Sequence, residues 1–117
     1  MVKIIVDAMG GDNAPAATVE GSVTALNNDK DLYIILAGRQ EDINAELRKY
    51  KYDASRLEIL DCRDTIDMND VPTTAIHRKE ASLVKAFWTL KKEDDVAALV
   101  TAGSTGATIV GGQTILG

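Results

Sequence analysis

Hydrophobic positions along this chain keep two different rhythms. Short, nearly continuous apolar runs alternate with longer stretches in which apolar residues return every third or fourth place. The first run, Lys3 to Asp7, is rich in β-branched residues and reads as a buried strand. Pro15 opens a helix, where its missing N–H costs nothing, and Ala16, Val19, Val23 and Leu26 fall on one face of it. "LYIILAG", from Leu32 and closed by Gly38, is a second strand. In "RQEDINAELRKYKY", Ile43, Leu47 and Tyr50 sit at i, i+4 and i+7 with charges between them, so an amphipathic helix follows. "LEILDC" from Leu57 is a third strand, and "RDTIDMNDVPTT" is a loop punctuated by Asn69-Asp70 and Pro72.

A long helix is expected from Ala75 to Leu90, with Leu83, Val84, Phe87 and Leu90 inward. Lys91 to Asp95 turns the chain into a fourth strand, "VAALVTA". The loop "GSTG" then leads to a helix from Ala107 that is still in progress at the chain end, with Gly117 as a candidate C-cap. The expectation is therefore that these residues are the first part of a longer protein. The order βαβαβαβα implies an α/β fold: a mostly parallel, Rossmann-like sheet with helices on both faces, formed by 1–117 as a single domain. Right-handed crossovers follow from strand twist.

Composition narrows the function classes. A length of 117 residues suits one domain with a real core, and a net charge of −5 argues against a general nucleic-acid binder. Cys62 is the only cysteine, so no intramolecular disulfide forms, and His77 is the only histidine, without a partner at metal-ligand spacing. Met1 leads straight into a strand-like run, so no signal peptide is expected and a reducing cytoplasm fits. No apolar run approaches the roughly 18–20 residues of a membrane span.

Ligands of open parallel sheets bind beyond the carboxyl ends of the strands. Two loops there are richer than plain connections. After the first strand comes "DAMGGDNAP", in which Gly10 and Gly11 allow close backbone approach, and Asp12 or Asn13 can cap the following helix. A cap accounts for neither Asp7 at the strand end nor the paired glycines. After the fourth strand comes "TAGSTGAT". Gly103 and Gly106 clear space, Ser104 and Thr105 add hydroxyls, and the helix behind offers unpaired N–H groups, which together suit phosphate. A tight turn with a Ser/Thr cap explains the same residues, and both readings stay open at this point.

Other signatures are missing. Neither loop forms G-x-x-x-x-G-K-[ST], G-x-G-x-x-G or G-x-S-x-G, which excludes a P-loop, a dinucleotide fingerprint and a nucleophile elbow. His77, Arg78 and Lys79 read as a solvated basic face that can also meet phosphate or an acidic partner. Cys62 and Trp88 read as packing residues, and Asp61, Asp64, Asp67 and Asp70 as scattered solvated acids rather than metal ligands.

"IIVDAMGGDNAP" resembles the opening signature of the bacterial phosphate acyltransferases of phospholipid synthesis, the acyl-carrier-protein:phosphate family. "VTAGSTGA" is similar to that family's second glycine loop, and "DVPTTAIHRKEASLVKA" to its Pro-to-basic-to-Ser segment. The resemblance implies the N-terminal portion of a two-domain enzyme with a fold similar to phosphotransacetylases and isocitrate-dehydrogenase-like proteins. Its activity would move a fatty acyl group from acyl carrier protein to inorganic phosphate, without cofactor or metal, in a cytoplasmic homodimer that associates peripherally with the membrane. Carried onto this sequence, Asp7, Asp12 and Asn13 become the catalytic candidates. Gly10, Gly11, Gly103, Ser104, Thr105, Gly106, Lys79 and Ser82 become the substrate- and phosphate-binding candidates. A phosphotransacetylase-like enzyme using coenzyme A thioesters, a non-catalytic α/β domain, and a folded but inactive fragment are the competing expectations.

Overall fold

The computed structural model describes residues 1–67 and 69–116; Met68 and the candidate C-cap Gly117 lie outside the described residues. The apolar runs form β1 (Val2–Asp7), β2 (Leu32–Gly38), β3 (Leu57–Asp61) and β4 (Val96–Val100). They pair in the order β3-β2-β1-β4, and every pairing is parallel. The helices are α1 (Ala16–Asn28), α2 (Gln40–Leu47), α3 (Pro72–Ala75), α4 (Ser82–Lys92) and α5 (Thr105–Gly111), the last running into a π-helical turn at Gly112–Leu116.

Strand pleat divides the core into two layers. Val6, Ile34 and Leu36 pack with Val19, Val23 and Leu26 of α1 and Ile43 and Leu47 of α2. Their neighbours Ile5, Ile35 and Ala37 turn to the opposite face and pack with Ala86 of α4 and Cys62. The α/β fold with helices on both faces is therefore as the alternation implied. Burial of a side chain such as Leu26, Ile34, Leu36 or Ile43, each fully enclosed, is worth about 1.5–3 kcal/mol. At its far edge β4 is less covered, and Val100 stays 51% exposed.

Two local expectations are corrected. The helix expected over Ala75 to Leu90 starts only at Ser82, as α4, and the short α3 lies before it, over residues expected as loop up to Thr74. Between them the Asp64 N–H donates to the Glu80 carbonyl and the Ser82 N–H to the Asp64 carbonyl, and Asp64 forms a parallel bridge with Ala81. That pairing holds Ala81 in an extended conformation and defers the helix to Ser82. At α1, neither Asp12 nor Asn13 supplies a side-chain cap; Pro15 occupies the cap position and both acid and amide are exposed. The hydroxyl of Thr18 instead donates to the carbonyls of Ala8 and Pro15, tying the loop to the helix.

Gly21 lies within α1 on its exposed side, and a Cβ built there meets nothing within 4 Å. Glycine inside a helix costs about 0.5–1 kcal/mol relative to alanine. Gly21→Ala should therefore raise the urea midpoint by a corresponding amount; an unchanged or lowered midpoint would contradict the helix assignment there.

Candidate functional site

The strand order fixes where a ligand crevice can form. From β1 the chain builds outward through β2 to β3, then returns to place β4 on the other side of β1. The loops after β1 and β4 thus leave adjacent strands on either side of a topological switch point, where the connections part and open a crevice. Both glycine-bearing loops of the sequence stand at this one place.

Asp7 joins them. It ends β1, is 3% exposed, and accepts hydrogen bonds from two hydroxyls. The Ser82 hydroxyl at the start of α4 donates to Oδ1 at 2.5 Å, and the Thr101 hydroxyl just after β4 donates to Oδ2 at 2.9 Å. Thr101 Oγ1 also accepts the Gly103 N–H at 3.1 Å. One carboxylate thereby fixes the end of β1, the first residue of α4 and the turn after β4. The loops touch as a result: a Cβ on Gly10 would lie 2.8 Å from Asp7 Oδ2 and 2.9 Å from the Gly103 nitrogen. Only a residue without a side chain fits there. Gly11 follows at φ +97°, a conformation that side-chain-bearing residues rarely adopt.

The two loops also carry main-chain donors without partners. Among the described residues, the amides of Gly11, Asp12, Asn13, Ser104 and Thr105 donate to no protein group. Asp12, Asn13 and Thr105 are exposed around them. Main-chain donors left without a protein acceptor suit an anion. Beside it, an apolar trough of about 260 Å³ opens between α1 and the sheet, starting at Asp7 and Thr101 and running past Val6, Ala17 and Gly21.

Several candidates work from inside rather than on this surface. Ser82 is buried on Asp7. Ser104 is buried too, its hydroxyl oxygen capping α5 by accepting the Ala107 N–H at 3.2 Å. Gly106 lies against α3, where a Cβ would fall 2.6 Å from Pro72 Cγ. Lys79 lies apart from the junction, lining a groove with Lys85, Trp88 and Lys92. Of its basic neighbours, Arg78 pins the loop after β3 by donating to the Thr65 carbonyl and to Asp70. The Asp67 amide and then Arg78 hold the Asp70 carboxyl below its usual pKa.

The remaining acids have separate partners. Asp61 accepts from the Gln40 amide and from Arg63, and the Arg63 contact lowers its pKa first. No cluster of metal-ligating side chains occurs among the described residues. Cys62 is fully buried, and desolvation pushes its thiol up to about 12, as suits a packing residue. Trp88 corrects its reading as packing: Phe87 beside it is buried, while Trp88 is 40% exposed. Thr101 was not among the candidates. Its signal, a hydroxyl directly after an apolar strand and two residues before a glycine, is too common to stand out.

The family model described as "Fatty acid synthesis protein" matches residues 2–117. Similar curated proteins include a "Phosphate acyltransferase" of Clostridium tetani, 47% identical over 99% of this chain and 35% of its own length. Another from Alkaliphilus oremlandii is 44% identical over 99% of this chain and 34% of its own. A third, from Halothermothrix orenii, is 37% identical over 99% of this chain and 35% of its own. The chain thus spans about a third of the length of these curated relatives.

Two outcomes follow from the geometry. Thr101→Val leaves Asp7 Oδ2 and the Gly103 N–H without their partner and should cost about 1–3 kcal/mol in urea denaturation, whereas Thr101→Ser should recover most of it. Equal losses in both variants would show that the hydroxyl is not the stabilising group. Cys62 should resist thiol reagents at pH 8 in the native protein and react fully once unfolded; rapid native labelling would contradict its burial.

Proposed function

The chain belongs to the fatty acid synthesis protein family, and from that premise we propose that it forms the phosphate-binding wall of an acyltransferase. The reaction moves a fatty acyl group from the thioester of acyl carrier protein to inorganic phosphate, giving acyl phosphate for phospholipid synthesis. The observation that carries this reading is the junction at the switch point, where two glycine loops are locked together and five of their amides are left without a protein acceptor.

Phosphate is already a competent nucleophile near neutral pH, so no Ser or Cys nucleophile is needed. Its oxygen attacks the thioester carbonyl carbon, a tetrahedral oxyanion forms, and the carrier thiolate leaves. Most of the gain comes from holding phosphate in line with the carbonyl and from donors fixed around the developing negative charge. The amides of Gly11, Asp12, Asn13, Ser104 and Thr105 are those donors. The Thr105 hydroxyl and the Asn13 amide group add hydrogen bonds to phosphate or acyl oxygen. Asp12 accepts the proton that hydrogenphosphate carries. Asp7, Ser82, Thr101 and Ser104 act from within, holding the loops in shape; Gly10 and Gly103 let them close, and Gly106 lets α5 pack on Pro72. The apolar trough beside Thr101 receives the first carbons of the acyl chain.

In this reading residues 1–117 are the N-terminal portion of a two-domain enzyme. The second domain completes the cleft, so the isolated chain is inactive. The whole enzyme is a cytoplasmic homodimer that docks on the membrane surface; among the described residues, no helix is long and apolar enough to cross a membrane.

The test is acyl phosphate formation by the full-length protein from acyl carrier protein thioester and inorganic phosphate. Gly11→Val, which forces a β-branched residue to φ +97°, should lower turnover at least about 100-fold while the far-ultraviolet circular dichroism is kept. Normal turnover in this variant would end the role of the first loop. Preference for coenzyme A thioesters over the carrier protein would instead favour a phosphotransacetylase-like enzyme.

A further inference from the structure

Basic charge is unevenly placed in this acidic chain. Between His77 and Lys92 there are five lysines and arginines and one acid, Glu80, although the whole chain carries −5. Apart from Arg78, these cations border α4. The inner face of that helix buries Leu83, Val84 and Phe87, leaving Lys85, Trp88 and Lys92 as an outward stripe at i, i+3 and i+7. Lys79 extends the stripe past the helix start, and together they line an open groove of about 380 Å³. Lys91 and Lys92 place their ammonium groups 5.3 and 5.7 Å from the Trp88 ring centre. Among the described residues Lys79, Lys91 and Lys92 form no ion pair.

A half-exposed tryptophan ringed by unpaired lysines is the composition of a binding hot spot rather than of a solvated face. We propose that this groove docks an acidic helix of a protein partner; on the reading above, that partner is the carrier that delivers the acyl thioester. The placement fits. α4 starts at Ser82, whose hydroxyl is on Asp7, and the stripe opens about one turn further along the same helix, at Lys85. A carrier lying on the stripe has one end toward the helix start that Asp7 holds, on the side where its thioester must arrive. Shape and charge favour a helix over a flat anionic bilayer, because Glu93, Asp94 and Asp95 follow directly after the stripe and are exposed. A bilayer broad enough to cover the groove would meet those acids, whereas a helix can pair with lysines and stop short of them.

The test uses the full-length protein and the double variant Trp88→Ala/Lys92→Glu, whose side chains point away from the core. Its binding to acyl carrier protein by calorimetry should weaken about 10-fold or more. Its KM for the carrier-bound donor should rise in step, while kcat and the kinetics with the same acyl group on pantetheine stay unchanged. Carrier affinity equal to wild type would overturn the proposal, as would equal slowing with both donors. Loss of binding to phosphatidylglycerol vesicles with carrier affinity unchanged would also overturn it and assign the stripe to lipid. The calorimetric arm keeps the two readings separable: if the wild-type protein makes no acyl phosphate from either donor, the acyl-transfer reading fails, and binding alone decides the docking surface.

Discussion

One buried carboxylate organises the carboxyl end of this sheet. Asp7 receives hydroxyl hydrogen bonds from residues 75 and 94 positions away in sequence. Through them it fixes where α4 begins and how the chain leaves β4. Without those two donors a carboxylate this deeply enclosed would carry the full desolvation penalty. The partners are therefore required by the fold as much as by any chemistry. The consequence for chemistry is rigidity: the Gly103 N–H is consumed by Thr101, and the Ser104 and Thr105 amides that follow have no protein acceptor among the described residues.

The sheet supplies the second half of this arrangement. Parallel pairing in the order β3-β2-β1-β4 brings the ends of β1 and β4 side by side. Gly10 then lets the two loops approach to contact. In the proposed anion site the donors are main-chain groups held by buried residues, so it would tolerate variation in the exposed side chains around it. Preorganisation of this kind is what acyl transfer to phosphate asks for, because both the nucleophile and the developing oxyanion are anionic.

What could be read in the sequence, and what could not, follows from the range of the interactions. Strands of a parallel sheet are buried on both faces, so "VKIIVD" and "LYIILAG" declare themselves as apolar runs. The glycines at positions 10 and 11 signalled a close approach, and the structure shows what approaches. The break between α3 and α4 was hidden, because it depends on Asp64 pairing with Glu80 and Ser82 across a loop. The partners of Asp7 were hidden for the same reason, and Ser82 and Ser104 looked like surface ligands although both are buried. Phe87 and Trp88 are adjacent aromatics about 100° apart on a helix, so periodicity places one of them inward without making the other's exposure obvious.

The central claim is that the loops after β1 and β4 form one anion site. Titrating inorganic phosphate into this 117-residue chain labelled with nitrogen-15, and following its amide resonances, tests it most directly. Resonances from Gly10–Asn13 and from Gly103–Ala107 should shift together and fit a single dissociation constant. Shifts that spare both loops, or that fit different constants in the two, would contradict the shared site.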